Sequence, residues 1–240
     1  VAETLPDRIE IIALAASSSV EKLAAQVHAT GVKHVAIHDS SKVLQLRKLI
    51  PADVEIHTGD GGLIHLATLA DADIVLVSIV GTAGLHPALA AIEAGKDLAV
   101  ASKEILVMAG EIITHAAEKH GVKILPVDSE HNAIFQCLDG HRGGETEISR
   151  LILTASGGPF RKLPADELRH VTPAQALKHP TWDMGPKITI DSATLFNKGL
   201  EMIEAKWLFN IGMERIDVVI HPQSIVHSMV EFRDGSVLAQ

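Results

Sequence analysis

The sequence has little of what would place it in several large classes of protein. Cys137 is its only cysteine, so no internal disulfide can form, which is typical of a reducing compartment. No apolar run reaches the roughly 18 residues that a membrane-spanning helix needs. The 30 acidic residues outnumber the 21 lysines and arginines, and no basic stripe stands out. We therefore expect neither a nucleic-acid partner nor a membrane partner.

The first half of the chain alternates short apolar segments with helical segments. Its 240 residues suffice for one large or two modest domains. Strands are predicted at residues 9–16, 34–38, 54–57, 72–80, 98–101 and 123–127. Helices are predicted at residues 20–30 with Ser19 as N-cap, 41–50, 63–69, 86–94 and 104–120. This order predicts an α/β fold with a Rossmann-like parallel sheet over residues 1–125.

A dinucleotide-binding sheet usually begins with a strand and a glycine-rich turn, and this sequence shows neither. The residues before Ile9 include no glycine. Either the sheet does not bind a dinucleotide, or the chain begins one βα unit late, with the first βα unit missing.

The pattern changes after about Asp128 to that of an α+β domain over residues 126–240. Helices are predicted at residues 131–138 and 197–209, and strands at residues 148–155, 216–220, 225–232 and 236–238. Asp234-Gly235 predicts a hairpin between the last two strands. Residues 160–187 are polar and interrupted by prolines, and we expect a mobile lid at residues 179–187.

Two carboxylates, Asp128 and Glu130, stand two residues apart just after the last strand of the first half. If the backbone there is extended, both side chains lie on one face, where they repel unless a proton or cation lies between them. Hard divalent cations such as Mg²⁺ and Mn²⁺ prefer such oxygen ligands. The alternative is that both are acids at a helix N-terminus, which the helix dipole favours.

Glu201 lies on the predicted helix 197–209, within about one turn of Asn197 and Lys198. The three side chains could present a carboxylate, an amide and an ammonium group to one cleft. They could equally form a solvated helix face with a local Lys–Glu pair.

Several polar residues near loops are candidates for binding an anion, each with an ordinary structural alternative. Ser156-Gly157-Gly158 could bring backbone amides to an anion or form a tight turn. Ser192 could donate to a phosphate or serve as a turn residue. His179 could donate to a phosphate or titrate near neutrality. Trp182 and Met184 could cover a ligand or pin the loop to the core.

Lys103 and Glu104 follow the predicted strand 98–101. The carboxyl ends of strands are where doubly wound sheets bind ligands. The alternative is an ordinary helix N-terminus with Ser102 as its cap.

Together these segments resemble the 1-deoxy-D-xylulose 5-phosphate reductoisomerase family. The resemblance extends over nearly the whole chain, and several of its motifs are long and specific. They are Ala101-Ser102-Lys103-Glu104, residues 125–136, Ser156-Gly157-Gly158-Pro159-Phe160, residues 179–185, residues 187–205, His221-Pro222-Gln223-Ser224 and residues 235–240.

The resemblance implies an NADPH- and divalent-metal-dependent oxidoreductase of non-mevalonate isoprenoid synthesis. Such an enzyme rearranges 1-deoxy-D-xylulose 5-phosphate by retro-aldol and aldol steps, then reduces the aldehyde to 2-C-methyl-D-erythritol 4-phosphate. The implied partners are this small sugar phosphate and, because the family is typically a homodimer, a second copy of the chain. The bacterial cytoplasm and the plastid stroma are both compatible compartments.

The resemblance also implies roles for individual residues. Asp128, Glu130 and Glu201 would hold Mn²⁺ or Mg²⁺ and, with Lys103, carry the chemistry. The phosphate end of the substrate would contact Ser156, His179, Ser192, Asn197 and Lys198. The substrate nearer the reacting carbons would contact Lys103 and Ser129, under a lid that carries Trp182 and Met184. NADPH would be approached by Ser102, Glu104 and Gly185.

The chain departs from the family pattern around the cofactor. The turn after the first strand reads Ser17-Ser18-Ser19, where Gly-x-Asn is expected, although the hydroxyls could still bind the 2′-phosphate of NADPH. The family's glycine-rich loop with its first strand and its C-terminal helical domain are not found, so we expect a fragment with impaired NADPH affinity. Two alternatives stay open: another NAD(P)-dependent oxidoreductase, and a non-catalytic fragment that keeps only the metal and sugar-phosphate site.

Overall fold

The computed structural model describes residues 1–141 and 146–240, and contacts group the chain into two compact units. Unit one comprises residues 1–99 and 115–124, and unit two comprises residues 100–114 and 125–240. The chain passes from unit one to unit two for the last time between Ile124 and Leu125, and the sequence analysis predicts a domain boundary after residue 125. Residues 100–114 group with unit two, whereas the sequence pattern had placed them with the first half.

Short strands and helices alternate along residues 13–126. The strands are β1 (Ala13–Ala16), β2 (His34–Ile37), β3 (Glu55–Thr58), β4 (Ile74–Val77), β5 (Asp97–Val100) and β6 (Ile124–Pro126). The helices are α1 (Val20–Thr30), α2 (Val43–Arg47), α3 (Gly59–Ala67), α4 (Leu85–Glu93) and α5 (Lys103–His120). Strands β1, β2 and β3 pair in that order and in parallel, and β4, β5 and β6 form a second sheet. The predicted Rossmann-like class is confirmed.

Helix α1 illustrates how the apolar spacing builds this part of the fold. Val20, Leu23 and Val27 lie three and four residues apart, so they share one face, which packs with Val35 and Ile37 of β2. Leu23 is fully buried, which stabilises the fold by about 1.5–3 kcal/mol.

Strand β1 is shorter than the predicted strand 9–16. It begins at Ala13 because its partner β2 begins at His34, the residue opposite Ala13. The amide of Ile9 instead donates to the carbonyl of Leu5 in a turn, at 3.0 Å. Within the described part of the chain, β1 and β4 are edge strands of their sheets.

Unit two is built around a mixed sheet. Its strands are β7 (Ile148–Ala155), β8 (Ile216–Ile220), β9 (Ser228–Phe232) and β10 (Val237–Ala239), and its further helices are α6 (Ser129–Leu138), α7 (Pro173–Ala176), α8 (Pro186–Ala193) and α9 (Phe196–Phe209). The strand order is β10-β9-β7-β8, with β8 parallel and β9 antiparallel to β7. Ile134, Leu151, Leu153, Ala205 and Val230 pack together in its core.

Two predictions for unit two had different outcomes. The hairpin at Asp234-Gly235 is confirmed, since β9 and β10 pair in antiparallel fashion and Gly235 has a φ of 84°. Helix α8 was not predicted: the polar segment ends at residue 187 in the sequence analysis, and residues 188–196 are assigned to no element there. Pro186 occupies its first turn, where the missing N–H of proline removes no hydrogen bond. None of the helices in the described ranges is long and apolar enough to cross a bilayer.

Candidate functional site

Three carboxylates of unit two converge on one point. Asp128, Glu130 and Glu201 each place a carboxylate oxygen within 4.8 Å of the others. The extended backbone assumed for Asp128 and Glu130 is wrong, because α6 begins at Ser129 and Asp128 is its N-cap. Asp128 Oδ1 accepts the amide of Glu130 at 3.2 Å. The two acids are therefore both helix N-terminal acids and members of a carboxylate cluster.

Lys103, at the start of α5, points its ammonium group into this cluster. Lys103 Nζ lies 2.8 Å from Asp128 Oδ2, 2.8 Å from Asn197 Oδ1 and 3.2 Å from Glu201 Oε1. Burial would lower the pKa of Lys103, but the charges of Asp128 and Glu201 outweigh it and raise that pKa. Lys103 therefore keeps its proton and is a fixed cation and hydrogen-bond donor.

Helix α9 supplies Asn197, Lys198 and Glu201 to the same place. Lys198 forms an ion pair with Glu201 and lies 3.8 Å from Glu130 Oε1. The Asn197 amide donates to Glu201 Oε1. Lys198 and Glu201 are both buried, so they do not form the solvated helix face that was the alternative prediction.

His131 and Glu204 lie beside the carboxylates, and sequence reasoning missed both. His131 is fully buried; its Nε2 lies 2.8 Å from the carbonyl oxygen of Glu201, and its Nδ1 lies 3.5 Å from Asp128 Oδ1 and 3.6 Å from Glu204 Oε2. Burial would lower the pKa of His131, but Asp128 and Glu204 outweigh it and raise that pKa to about 9. The three-residue spacings Asp128–His131 and Glu201–Glu204 on two helices were the available signal.

The donor set of the carboxylate cluster fits a hard divalent cation. Burial raises the pKa of Glu130 to about 7, and the charges of Glu201 and Asp128 add to this rise while Lys198 opposes it. Crowded carboxylates of this kind are relieved by a cation, and oxygen atoms are the ligands that Mg²⁺ and Mn²⁺ prefer. Asp128, Glu130 and Glu201 are therefore the residues that could hold such an ion.

A cavity of about 440 Å³ adjoins the cluster and is lined by residues of unit two. Predicted substrate-binding residues among its walls are Ser129, Ser156, His179, Trp182, Met184, Ser192, Asn197 and Lys198. Thr154, Ser224 and His227 also line it and were not predicted to do so. The structure thus brings together the residues assigned from the resemblance to the metal and to the phosphate.

The loop 156–158 that borders the cavity requires glycine. Gly157 and Gly158 have φ angles of 85° and 67°, which residues with side chains rarely adopt. A Cβ atom on Gly158 would lie 2.6 Å from the carbonyl oxygen of Ser192. The loop therefore depends on glycine at both positions and approaches the end of α8 closely.

His179 is oriented by its own loop. Its Nδ1 accepts the amides of Thr181 at 3.2 Å and Trp182 at 2.9 Å. When the ring is neutral, the proton is therefore on Nε2, which lies 3.0 Å from Ser156 Oγ. Burial lowers the pKa of His179, and the nearby charge of Arg161 adds to this effect, so the neutral form is favoured.

The residues assigned to NADPH are divided between the two units. In unit two, Ser102 Oγ donates to Glu104 Oε2 at 3.1 Å, and Gly185 is the N-cap of α8. Glu104 also pairs with Lys187 at 2.8 Å. In unit one, Ser17-Ser18-Ser19 is exposed between β1 and the N-terminus of α1, and Ser19 occupies the predicted N-cap position without making a side-chain cap hydrogen bond.

These observations define a class of protein: an α/β chain with a Rossmann-like unit, and with a carboxylate–lysine cluster beside a cavity in its second unit. Comparison with protein families narrows the class. A model described as 1-deoxy-D-xylulose 5-phosphate reductoisomerase matches residues 1–110, and one for the C-terminal domain of that enzyme matches residues 124–209. The chain belongs to the 1-deoxy-D-xylulose 5-phosphate reductoisomerase family.

Individual relatives agree with this assignment. The reductoisomerase of Thermoanaerobacter sp. (strain X514) is 54% identical over 234 residues, which are 98% of this chain and 60% of the relative. That of Chlorobaculum tepidum is 55% identical over 236 residues, which are 98% of this chain and 61% of the relative. The chain therefore spans about 60% of the length of these curated relatives.

Solved structures give the same result. A crystal structure of DOX-P reductoisomerase in complex with NADPH, fosmidomycin and magnesium has a TM-score of 0.92 at 44% identity, over 100% of this chain and 61% of that one. The reductoisomerase from Zymomonas mobilis in complex with NADPH has a TM-score of 0.91 at 46% identity, over the same shares of the two chains.

Proposed function

We propose that the chain carries the metal- and substrate-binding site of an NADPH-dependent reductoisomerase that converts 1-deoxy-D-xylulose 5-phosphate to 2-C-methyl-D-erythritol 4-phosphate. The single observation that carries the proposal is the convergence of Asp128, Glu130 and Glu201 within 4.8 Å beside the cavity. The names of the relatives, and the NADPH, fosmidomycin and magnesium in a similar structure, supply the substrate and cofactor classes.

Asp128, Glu130 and Glu201 would hold Mn²⁺ or Mg²⁺. Bound there, the ion would supply Lewis acidity to the carbonyl and neighbouring hydroxyl of the substrate. Lys103 contacts two of these carboxylates and stays protonated, so it would orient substrate oxygens by donating hydrogen bonds rather than act as a base. Ser129, whose hydroxyl donates to Glu130 at 2.8 Å, would lie near the same reacting atoms.

At the end away from the reacting carbonyl, the substrate carries a phosphate group. Ser156, His179, Ser192, Asn197 and Lys198 line the cavity and offer hydroxyl, imidazole, amide and ammonium donors. With Nδ1 accepting two backbone amides, His179 can donate only through Nε2, which fixes the direction of its hydrogen bond. The Lys198 ammonium would offset phosphate charge at the buried end of this set.

Trp182 and Met184 would cover the bound substrate. Both line the cavity, and Trp182 is 47% exposed, although a large aromatic side chain usually gains stability by burial. Closure of the segment 179–187 over a ligand would bury this indole and exclude water from the reacting atoms.

NADPH would supply the hydride for the reductive step. Ser17-Ser18-Ser19 lies at the carboxyl end of β1 and the N-terminus of α1, the position where parallel sheets bind phosphate groups. Ser102, Glu104 and Gly185 are the contacts proposed for unit two.

A second candidate is a metal and sugar-phosphate site without turnover. It is favoured by the location of the carboxylate cluster and the whole cavity lining within unit two. NADPH oxidation that requires both the metal and 1-deoxy-D-xylulose 5-phosphate would distinguish the reductoisomerase from this candidate. By analogy with the family, a homodimer in a bacterial cytoplasm or plastid stroma is part of the proposal.

Calorimetric titration with fosmidomycin, with and without Mn²⁺, tests the site. We expect saturable binding that requires Mn²⁺ and is lost in Glu201→Gln. Glu214→Gln is the matched control, because Glu214 is an exposed acid outside the cavity lining. Equal binding by both variants, or no binding by the folded wild-type chain, would contradict the proposed site.

A further inference from the structure

Unit one contains a cluster of histidines that the proposed function does not use. His34 on β2, His57 on β3 and His65 on α3 each place a ring nitrogen within 4.8 Å of the others. The His57 and His65 ring centroids are 4.2 Å apart, and those of His34 and His57 are 6.3 Å apart. Three separate elements thus meet at these imidazoles.

The strand register explains why two of the histidines share a face. His34 pairs with Glu55, and Ala36 pairs with His57, in the parallel ladder of β2 and β3. Paired residues and residues two apart point to the same side of a sheet, so His34, Glu55 and His57 lie on one face. Helix α3 covers this face, since Leu63 and Leu66 pack with Ala36.

Gly62 lets α3 approach β3 closely enough for the imidazole of His65 to reach those of His34 and His57. A Cβ atom at this position would lie 2.9 Å from the carbonyl carbon of His57. The absence of a side chain there allows the helix to pack directly on the strand that carries His57. His65 extends from this closely packed helix and is exposed, which leaves a path from solvent to the cluster.

The ring nitrogens have the environment of metal ligands. His34 Nδ1 and His57 Nε2 are buried and, among the described residues, have no hydrogen-bond partner. Buried polar atoms in proteins normally have a hydrogen-bond partner. Glu55 Oε2 lies 3.5 Å from His34 Nδ1 and 3.7 Å from His57 Nε2. Ligand atoms around a tetrahedral zinc ion are about 3.3 Å apart, so the two Glu55 distances are close to those of such a site, and the three ring nitrogens, within 4.8 Å of one another, would move closer together.

The protonation state of the His57 imidazole also favours metal binding. Burial lowers the pKa of His57, the neighbouring His65 and His34 add to this effect, and the charge of Glu55 opposes it. A neutral imidazole is the form that binds a metal ion. Ring stacking alone would account for the close rings but supplies no hydrogen bond to the two buried nitrogens.

We propose that His34, His57, His65 and Glu55 bind a zinc ion in unit one. Imidazole nitrogens favour Zn²⁺ and related transition metals over Mg²⁺, whereas the carboxylate cluster of unit two offers only oxygen ligands. The ion would tie β2, β3 and α3 together. It would stabilise unit one in proportion to the concentration of free metal.

The test is a zinc titration of the untagged full chain against a chromophoric chelator, with excess Mg²⁺ present to occupy the carboxylate cluster. The variants are His65→Ala, which removes an exposed ligand with little risk to folding, and His57→Asn. His120→Ala is the matched control, since His120 is an exposed histidine at the end of α5 and belongs to none of the candidate metal clusters. Co²⁺ serves as a second probe, because its visible absorption is strong in tetrahedral nitrogen-rich sites.

We expect the wild type and His120→Ala to bind one equivalent of Zn²⁺, and both cluster variants to bind it about tenfold more weakly or worse. Zinc should also raise the melting temperature of the wild type but not of folded His65→Ala. Unchanged zinc affinity and thermal shift in His65→Ala and His57→Asn would overturn the proposal, as would the absence of zinc binding by the wild type.

Discussion

Lys103 Nζ lies 2.8 Å from Asp128 Oδ2, within a site where three carboxylates converge. The lysine and a divalent cation would therefore act on the same negative charge. The ammonium group holds the carboxylates together, while their remaining lone pairs stay available to a metal ion. If the cluster binds a metal ion as proposed, the stability of unit two should depend on that ion.

Lys103→Met should destabilise the chain by about 3 kcal/mol, because it removes the ammonium partner of Asp128 and leaves the buried Glu201 with Lys198 alone. Mn²⁺ should stabilise this variant more than the wild type, since the ion replaces part of the lost positive charge. Urea denaturation with and without Mn²⁺ measures both effects.

The control for this prediction is Lys33→Met. Lys33 forms an equally direct ion pair with Asp53, but both side chains are more than 60% exposed, so its loss should cost no more than about 1 kcal/mol. Equal destabilisation by the two substitutions would contradict the role given to Lys103.

His131→Asn should weaken Mn²⁺ binding about tenfold without removing any carboxylate. The reason is that the His131 ring lies between Asp128, Glu204 and the backbone carbonyl of Glu201, and therefore positions two of the proposed ligands. Mn²⁺ affinity measured by electron paramagnetic resonance on the folded variant tests this. An unchanged affinity would mean that His131 only fills space.

Gly158→Ala should weaken binding of fosmidomycin, because the new Cβ atom would lie 2.6 Å from the carbonyl oxygen of Ser192 and displace the loop that borders the cavity. Gly235→Ala is the control. Gly235 also has a positive φ but no atom within 4 Å of the added carbon, so its cost is confined to about 1 kcal/mol of backbone strain. Parallel losses of binding in the two variants would point to strain rather than to the close approach.

Leu76→Lys should reduce self-association of the chain. Leu76 is 60% exposed on the edge strand β4, and an exposed apolar edge favours pairing with other chains. Light scattering over a concentration series measures this. Leu44→Lys removes a leucine that is 77% exposed on α2 rather than on an edge, and should have a smaller effect. If the two variants behaved alike, the edge strand would not be the cause.

The sequence predicts those elements whose signals are local. Helix α1 and strand β7 have their predicted bounds, 20–30 and 148–155, because apolar spacing and turn residues mark both ends. Helix α8 was missed because it lies among prolines and polar residues, and its formation depends on the start given by Gly185 and Pro186. Strand β1 was predicted too long because strand length depends on the partner strand, which lies elsewhere in the sequence.

The candidate site also combines residues that local motifs predict with contacts that depend on distant parts of the chain. Asp128, Glu130 and Glu201 were assigned from long motifs, yet their convergence depends on packing between helices about seventy residues apart. Lys103 meets Asn197 across 94 positions of sequence, a contact that no local pattern encodes. His131 and Glu204 were missed for this reason, since each has a role only once α6 and α9 lie side by side.

The measurement that tests the account most directly is Mn²⁺ binding, by electron paramagnetic resonance, to the wild type and to Asp128→Asn, Glu130→Gln and Glu201→Gln. The account predicts one tight Mn²⁺ per wild-type chain and a loss of about tenfold or more in affinity for each folded variant. Retention of wild-type affinity by all three variants would contradict the claim that these carboxylates together form a divalent-cation site.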